Sequence, residues 1–328
     1  MFPENETFAG EIERSIINVG IANPDRNGQG VRYFALLHKN KQEPSNHGTC
    51  CEGQSTRLIG SVPEHLVSYS AQGPFWDLYF ASNASWDLGT HGGPGPTGHV
   101  LRVNVTSNYP YDGQVAMQVW VEAPAVEFAD ASRETPTAVD VDLALRIPSW
   151  SQGTVKVSVQ GARVQSGTSL RSGFEAGKAR SFSEEAGPST HSGTPGTYLH
   201  LKQSWPVGGP ADAALIQFDL QMGWRVTKYT GLTTVEGQDR WAYEYGPVLL
   251  AMTGAWDPTL GGGVEWVQGE GAAIDPTRPQ DWTELDGSLG GPLQFRVKNA
   301  TVRDGPVVKL MPYMDVDEEI FDVYSVVG

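Results

Sequence analysis

The chain has 328 residues, of which 39% are hydrophobic and 19% charged, with 39 Gly and 22 Pro. This length predicts two or three cores, and the composition favours strands and turns over a helical bundle. The formal net charge of -15 repels nucleic acid and anionic membranes, and no apolar run approaches the roughly 18 residues of a membrane span. We therefore expect neither nucleic acid nor a membrane as a partner.

Two helical patterns open the chain, with an extended segment between them. Residues 8–22 form an amphipathic pattern whose apolar face carries Phe8, Ile12, Ile16 and Val19. Turn-forming residues then end the helix before residues 31–38, which are few enough for a strand or an extended segment. Residues 51–69 again have a helical rhythm, which Pro63 should interrupt because proline lacks the backbone N–H that a helix needs.

From about residue 75 the hydrophobic period changes to two, which is typical of strands with one buried face. The alternation is clearest over 115–121 and 141–147. Further strands are predicted at 100–105, 155–159, 198–202 and 215–220. So many short strands between turn residues predict a β-sandwich. Residues 161–196 are rich in Ser and Gly and predict a long mobile insertion.

The last third of the chain has weaker strand patterns, at 293–297 and 307–311, and an alternating run at 320–326 that predicts a closing strand. The predicted fold class is mainly β, with two β-sandwich domains after a short helical part. The predicted domains are a helical part at 1–72, a first sandwich at 73–240, a second sandwich at 241–312, and a strand at 313–328 that returns to the first sandwich.

The only two cysteines, Cys50 and Cys51, are adjacent and open the second helical pattern. Neighbouring Cα atoms lie about 3.8 Å apart, closer than a relaxed disulfide requires, so a disulfide framework is excluded. A thiol at a helix N-terminus feels the positive end of the helix dipole, which favours the thiolate that attacks carbon and binds zinc. The structural alternative is a pair of small buried hydrophobes. Two sulfurs fill only half of a tetrahedral zinc site, so a metal needs further ligands.

Other polar residues near the cysteines are weaker candidates. His47 is close enough to share a metal, to lower a thiol pKa or to bind substrate, although such a histidine is more often an ordinary loop residue. Glu13, Glu52 and Glu64 flank the segment as candidate acids or bases, yet most glutamates form a solvated face. The ten tryptophans offer flat faces to sugar rings, but in sandwiches they more often belong to the core.

Several segments together resemble glycoside hydrolase family 127, the β-L-arabinofuranosidases. The segments similar to the last helices of that family's α/α barrel are GEIERSIIN at 10–18, Tyr33-Phe34 and TCCEGQSTRL at 49–58. The segments that resemble later landmarks are LRIPSW at 145–150, YGPV at 245–248 and LMPY at 310–313. The resemblance implies that residues 1–72 are a remnant of an α/α barrel.

The same resemblance implies a retaining glycosidase in which the Cys50 thiolate attacks the anomeric carbon of an arabinofuranoside in a glycan. Cys51 would bind Zn2+, with Cys50 also within reach of the metal, and a thiolate would replace the usual nucleophilic carboxylate. In the family, a Glu-x-Cys zinc pair and the acid/base glutamate lie upstream of the double cysteine. We therefore expect a missing barrel half upstream, and we expect the 328-residue chain alone to be inactive and to hold zinc weakly.

Two other functional interpretations stay open. The first is a non-catalytic module that binds carbohydrate or supports a barrel. The second is an inactive homologue of the glycosidases. Sequons at Asn5, Asn83, Asn104 and Asn299 favour secretion only slightly, so the compartment is undecided. Sugar specificity and oligomeric state are also undecided at this stage.

Overall fold

The computed structural model describes residues 5–25, 27–28, 30–41, 43, 48, 50–89, 95–124, 136–164, 188–231, 239–257, 263–265, 267–268, 274–298, 300–301 and 307–327. The central part of the predicted insertion, 165–187, lies outside these residues, as do His47 and Asn299. Within the described ranges, no helix combines the length and the apolar character that crossing a bilayer requires.

The helices are short and lie mainly near the start of the chain. The α-helices are α1 (Glu6–Ser15), α2 (Cys50–Ser61) and α3 (Pro279–Trp282). A π-helix at Ile16–Gly20 continues α1, and single 3-10 turns lie at Val62–His65, Pro210–Asp212, Gly287–Leu289 and Tyr313–Asp315. The predicted interruption at Pro63 is confirmed, because α2 ends at Ser61 and Pro63 lies in the following 3-10 turn.

Strands make up most of the remaining structure. Up to residue 206 they are β1 (His38–Lys39), β2 (Val67–Ser70), β3 (Gly73–Trp76), β4 (Ser82–Asp87), β5 (Val100–Ser107), β6 (Gln114–Glu122), β7 (Ala138–Ile147), β8 (Val155–Gln160), β9 (Arg163–Val164), β10 (Ser189–Gly193) and β11 (Thr197–Pro206). The later strands are β12 (Ala214–Asp219), β13 (Trp224–Lys228), β14 (Arg240–Tyr245), β15 (Val248–Thr253), β16 (Ala255–Asp257), β17 (Gly263–Glu265), β18 (Val267–Gln268), β19 (Thr283–Leu285), β20 (Phe295–Val297), β21 (Ala300–Thr301), β22 (Lys309–Pro312), β23 (Phe321–Asp322) and β24 (Ser325–Val326).

The chain divides into two compact units, and unit 1 comprises Met1–Glu6, Leu66–Tyr109 and Gly113–Leu220. It contains a six-stranded sheet in the order β10-β8-β12-β6-β5-β4 and a five-stranded sheet in the order β2-β3-β7-β11-β9. The pairings are antiparallel except that of β3 with β7. Alternate residues are buried over 115–119 of β6 and 139–143 of β7, as the period of two predicts, whereas residues 143–147 of β7 are all buried. The predicted mainly β fold with sandwich domains is thereby confirmed.

Unit 1 also encloses a charged pair. Arg146 of β7 is fully buried, and its Nε donates to Glu6 Oε1 over 3.1 Å. Arg146 Nη1 donates to the Asp77 carbonyl oxygen over 2.9 Å. The Ser149 N–H donates to the same Glu6 oxygen over 3.0 Å. The LRIPSW segment therefore has a structural role, because its arginine and its serine backbone hold one carboxylate inside the unit.

Unit 2 comprises 7–65, 110–112 and 221–328. Its largest sheet has nine strands, with a main path β1-β23-β15-β22-β20-β19 and with β14 pairing to β13, β15 and β24. All pairings in this sheet are antiparallel. Two small sheets, β16-β17 and β18-β21, complete the strands that the structure describes in this unit.

Two features of unit 2 differ from the prediction. Strand β13 pairs with β14, so the nine-stranded sheet begins before residue 241. The predicted return of 313–328 to the first sandwich is wrong, because β23 pairs with β1 and β15 while β24 pairs with β14. The alternating pattern indicates a strand with one buried face, but distant contacts select its partner. Here the buried Asp322 accepts a hydrogen bond from Arg240 over 3.2 Å and fixes the closing strands on β14.

The helical segment buries a different face from the one predicted. Ile16 is buried as expected, but Phe8 and Val19 are 47% and 49% exposed, while Ala9 and Ile17 are buried instead. After Ser15, the π-helix has a wider turn that shifts the angular phase, so Ile17 is buried and Val19 is exposed. Before Ser15, the buried face of α1 carries the charged Glu6 and Glu13 beside Ala9, and a pattern of apolar residues does not select that face.

A bidentate asparagine holds the π-helix on the nine-stranded sheet. Asn18 Nδ2 donates to the Pro247 carbonyl oxygen over 2.9 Å, and Asn18 Oδ1 accepts from the Leu249 N–H over 2.8 Å. One side chain thus binds backbone groups at the turn between β14 and β15. Two residues later, Gly20 lies against α2, where an added Cβ would come within 3.1 Å of Leu58 Cδ2. Two of the segments that carry the family resemblance, GEIERSIIN and YGPV, therefore meet at Asn18.

The buried pair in unit 1 gives a stability prediction. Glu6→Ala leaves the Arg146 guanidinium buried without its carboxylate, so we expect the free energy of unfolding to fall by about 3–5 kcal/mol in urea denaturation. Glu122→Ala is the matched control, because Glu122 pairs with Arg102 where both side chains are 40% exposed. We expect it to cost less than about 1 kcal/mol. Equal losses in the two variants would contradict this account.

The asparagine clamp gives a second prediction. Asn18→Ala removes a donor and an acceptor from partly buried backbone groups, and we expect a loss of about 1–3 kcal/mol. Hydrogen exchange measured by mass spectrometry should become faster in α1 and α2, with strands β5 and β6 unchanged. Asn40→Ala is the control, since Asn40 makes an exposed 3.3 Å hydrogen bond to the Glu318 carbonyl oxygen. If hydrogen exchange in α2 is unchanged in both variants, the hydrogen bonds of Asn18 do not stabilise this helix.

Candidate active site

The two cysteines occupy the first turn of α2. Cys50 is exposed and Cys51 is half-buried, and none of the twelve residues of α2 is buried. The described residues therefore do not bury the pair, and the structural alternative of two small hydrophobes at a helix start stays open. An exposed sulfur at the start of a helix is accessible to a reactant and adjoins the free amide donors of the first turn.

The spacing of the two sulfurs suits a shared metal. Cys50 Sγ and Cys51 Sγ lie 3.8 Å apart, within hydrogen-bonding distance for thiols. Two thiolates that each bind a tetrahedral zinc ion at about 2.3 Å are also separated by about 3.8 Å. Among the residues that the structure describes, no group of three or more His, Cys, Asp and Glu side chains could hold a metal. The pair thus fits two corners of a zinc tetrahedron, and the other two corners need ligands from elsewhere.

The local electrostatics oppose ionisation of both thiols together. The hydrogen bond with Cys50 is the main cause that raises the pKa of Cys51, followed by desolvation and the charge of Cys50. A hydrogen bond from Tyr33 acts in the other direction, and the charge of Glu52 raises this pKa further. The expected helix-dipole effect is therefore outweighed at Cys51 by its neighbour. A cation bound to both sulfurs would remove this opposition, because it stabilises each thiolate.

Tyr33 is a neighbour of the cysteine pair that the sequence patterns did not connect with it. The charges of Cys51 and then Cys50 raise the pKa of the Tyr33 hydroxyl, and hydrogen bonding with Cys51 raises it further. The ring is 47% exposed and meets the edge of Phe34 with 4.8 Å between centroids. Tyr33 and Phe34 were visible in the sequence only through the family resemblance, because no periodicity links an extended segment to the start of the next helix.

The other predicted site residues differ in how they lie relative to the cysteine pair. His47 lies outside the described residues, so its role stays a prediction. Glu52 is in the first turn of α2 and acts on Cys51, whereas Glu64 is exposed in the following 3-10 turn and Glu13 is fully buried in α1. Among the three glutamates, Glu52 is thus the one whose charge acts on the cysteine pair.

Two of the ten tryptophans are clear core residues, which is the structural alternative to stacking on a sugar ring. Trp76 and Trp205 are fully buried in unit 1. Their indole N–H groups donate to the backbone oxygens of Leu78 and Val141 over 2.8 Å and 3.0 Å. These two rings are core residues whose polar atoms are satisfied within the sheet. They have no exposed face on which a sugar could stack.

Comparison with known proteins supports the family resemblance. The model of a protein family described as β-L-arabinofuranosidase, GH127 middle domain, matches residues 75–175. A curated relative, the non-reducing end β-L-arabinofuranosidase of Bifidobacterium longum subsp. longum, is 25% identical over 175 residues. That match covers 48% of this chain and 23% of the relative.

Solved structures share the fold over nearly the whole chain. A GH127 β-L-arabinofuranosidase from Geobacillus stearothermophilus T6 has a TM-score of 0.55 at 16% identity. The match covers 98% of this chain and 46% of the Geobacillus chain. Another GH127 β-arabinofuranosidase has a TM-score of 0.61 at 15% identity and covers 99% and 46%. The chain therefore spans less than half the length of these structures and about a quarter of the curated relative.

The environment of the cysteines predicts different reactivities. Cys50 is exposed, whereas Cys51 is half-buried with a raised pKa. We expect iodoacetamide at neutral pH to modify Cys50 several-fold faster, because the thiolate is the reactive form and access to it differs. Fragment-ion mass spectra of the peptide that contains both residues assign the modified sulfur. Equal or faster labelling of Cys51 would show that this description of the pair is wrong.

Proposed function

We propose that this chain, which belongs to glycoside hydrolase family 127, is the nucleophile-bearing part of a retaining β-L-arabinofuranosidase. The observation that carries the proposal is the exposed Cys50 sulfur in the first turn of α2, with the Cys51 sulfur 3.8 Å away. The curated relative named above is a β-L-arabinofuranosidase, which supports an arabinofuranoside-containing glycan as the substrate class.

In the proposed reaction, the Cys50 thiolate attacks the anomeric carbon of the sugar. A carbon–sulfur bond forms while the glycosidic carbon–oxygen bond breaks, and an acid group protonates the leaving oxygen. The same group then takes a proton from water, which attacks the anomeric carbon and releases the Cys50 thiolate. Two inversions at one carbon give overall retention of configuration. We expect the acid/base residue in the upstream segment of the family pattern.

Zn2+ is the proposed cofactor, and Cys50 and Cys51 supply two of its four ligands. When bound, zinc would keep both sulfurs deprotonated, against the Cys50 hydrogen bond, the desolvation and the Cys50 charge that raise the pKa of Cys51. The family's upstream Glu-x-Cys pair is the proposed source of the other two ligands. The 328-residue chain by itself is accordingly proposed to be inactive and to bind zinc weakly.

A second candidate is a non-catalytic β-sandwich module that binds carbohydrate or supports a barrel. One observation favours it: in the described part of the chain, the cysteine pair has no third metal-ligating side chain beside it. This candidate predicts that the cysteines can be replaced without any functional loss, which separates it from the first.

The test is a substitution in the full-length protein, with the upstream segment present. We expect Cys50→Ala to lower kcat/KM for an aryl β-L-arabinofuranoside by at least about a thousandfold, as loss of a nucleophile does elsewhere, with an unchanged circular dichroism spectrum. Gln54→Ala, an exposed change in the same helix, is the control and should leave kcat/KM within about twofold. Retained turnover in Cys50→Ala contradicts the proposed nucleophile. Glycan binding without turnover in the wild type supports the non-catalytic module.

A further inference from the structure

Strand β4, at one end of the six-stranded sheet, lacks the features that usually protect a free strand edge. In the described part of the chain it pairs only with β5, so its other side has no strand partner. Its six residues include neither lysine nor proline, and Asp87 at its end carries the single charge. An edge of this kind can pair with a strand of a second chain and lead to aggregation. A bulky polar group beside β4 would hinder that pairing.

The same strand presents an N-glycosylation sequon to solvent. Asn83 and Ser85 are the first and third residues of the sequon, and both are exposed. They share one face of the strand, because residues two apart on a strand point to the same side. Ala84 and Trp86 alternate with them and are less exposed, and Trp86 contacts the buried Trp76 with 6.1 Å between ring centroids. The sequon amide and hydroxyl therefore lie on the outer face of the sheet.

Asn83 differs from the second sequon of this sheet, which begins at Asn104. Asn104 lies directly opposite Asn83 on β5, and its Nδ2 donates to Gln118 Oε1 over 3.2 Å. The Asn83 side chain, by contrast, makes no hydrogen bond within the described ranges. Opposite residues have Cβ atoms about 4.5–5.5 Å apart, so a glycan on one asparagine crowds a glycan on the other. Asn83 is thus the more accessible acceptor, since its amide is free and its strand lies at the end of the sheet.

We propose that Asn83 is an N-glycosylation site and that its glycan covers the free edge of β4. In this modification, Asn83 Nδ2 forms a bond to the anomeric carbon of a lipid-linked oligosaccharide, and the bond from that carbon to the lipid diphosphate breaks. The amide loses one proton, and the lipid diphosphate leaves with the bonding electrons. A transferase of the eukaryotic secretory pathway supplies the donor and recognises the Ser85 hydroxyl. This inference is independent of the proposed catalytic function.

The test is a site-specific analysis of the protein purified from its own source cells. Digestion with peptide N-glycosidase in heavy-oxygen water converts a glycosylated asparagine into a labelled aspartate, which mass spectrometry of the peptides locates. We expect the label at Asn83 and an unmodified Asn104. Absence of the label at Asn83 overturns the proposal, whether or not Asn104 is labelled.

Variants of the hydroxyl residues, expressed in the same cells, test what the glycan does. Ser85→Ala removes the sequon but keeps Asn83, so we expect it to lose the label and to aggregate several-fold faster in light scattering. Ser85→Thr restores a sequon and should match the wild type in both measurements. Thr106→Ala is the matched control, because it removes an exposed hydroxyl and the sequon of Asn104. Equal aggregation rates of Ser85→Ala and Thr106→Ala contradict a protective role of the glycan at this edge.

Discussion

The position of the cysteine-bearing segment depends on two hydrogen bonds of the Asn18 side-chain amide. It satisfies a carbonyl and an N–H at the turn between β14 and β15, and the π-helix that carries it meets Leu58 of α2 at Gly20. Helix α2 has no buried residue of its own. Its location is therefore set by neighbours that are themselves held by hydrogen bonds, which have direction, more than by apolar packing, which has none.

The segments that carry the family resemblance divide into structural and chemical ones. Arg146 and Ser149 of LRIPSW hold the Glu6 carboxylate, and Asn18 joins GEIERSIIN to YGPV. The double cysteine places an exposed thiol, that of Cys50, at the start of α2. Similarity in LRIPSW, GEIERSIIN and YGPV therefore reports the fold, whereas a chemical role for the cysteines belongs to the proposed function. The chain shares its fold with the solved GH127 structures over nearly its whole length, and the match covers less than half of the length of those structures.

Local features could be predicted from the sequence, and distant partners could not. The alternation over 115–119 of β6 and the break at Pro63 depend on neighbouring residues, and both are confirmed, whereas the alternation predicted over 141–147 gives way to burial of both faces of β7. The partner of the closing strands depends on Arg240 and Asp322, 82 residues apart, and that prediction was wrong. Tyr33 was missed for the same reason. The role of Cys50 as a nucleophile was inferred from the family resemblance and stays a prediction, whereas the raised pKa of Cys51 needed the actual position of its neighbours.

Unit 2 is discontinuous in the chain, and this has a consequence for its synthesis. The residues that hold Asn18 in place lie 229 and 231 positions later, beyond all of the strands of unit 1. At about 5–20 residues per second on the ribosome, the segment with the two thiols emerges roughly 10–40 s before its own sheet exists. During that interval the strands of unit 1 can pair, while the π-helix with Ile16 and Ile17 can reach α2 but lacks the nine-stranded sheet. The nascent chain thus exposes its two sulfurs and the apolar side chains of the π-helix for the longest time. Chaperone protection and a reducing environment are therefore most valuable early in translation.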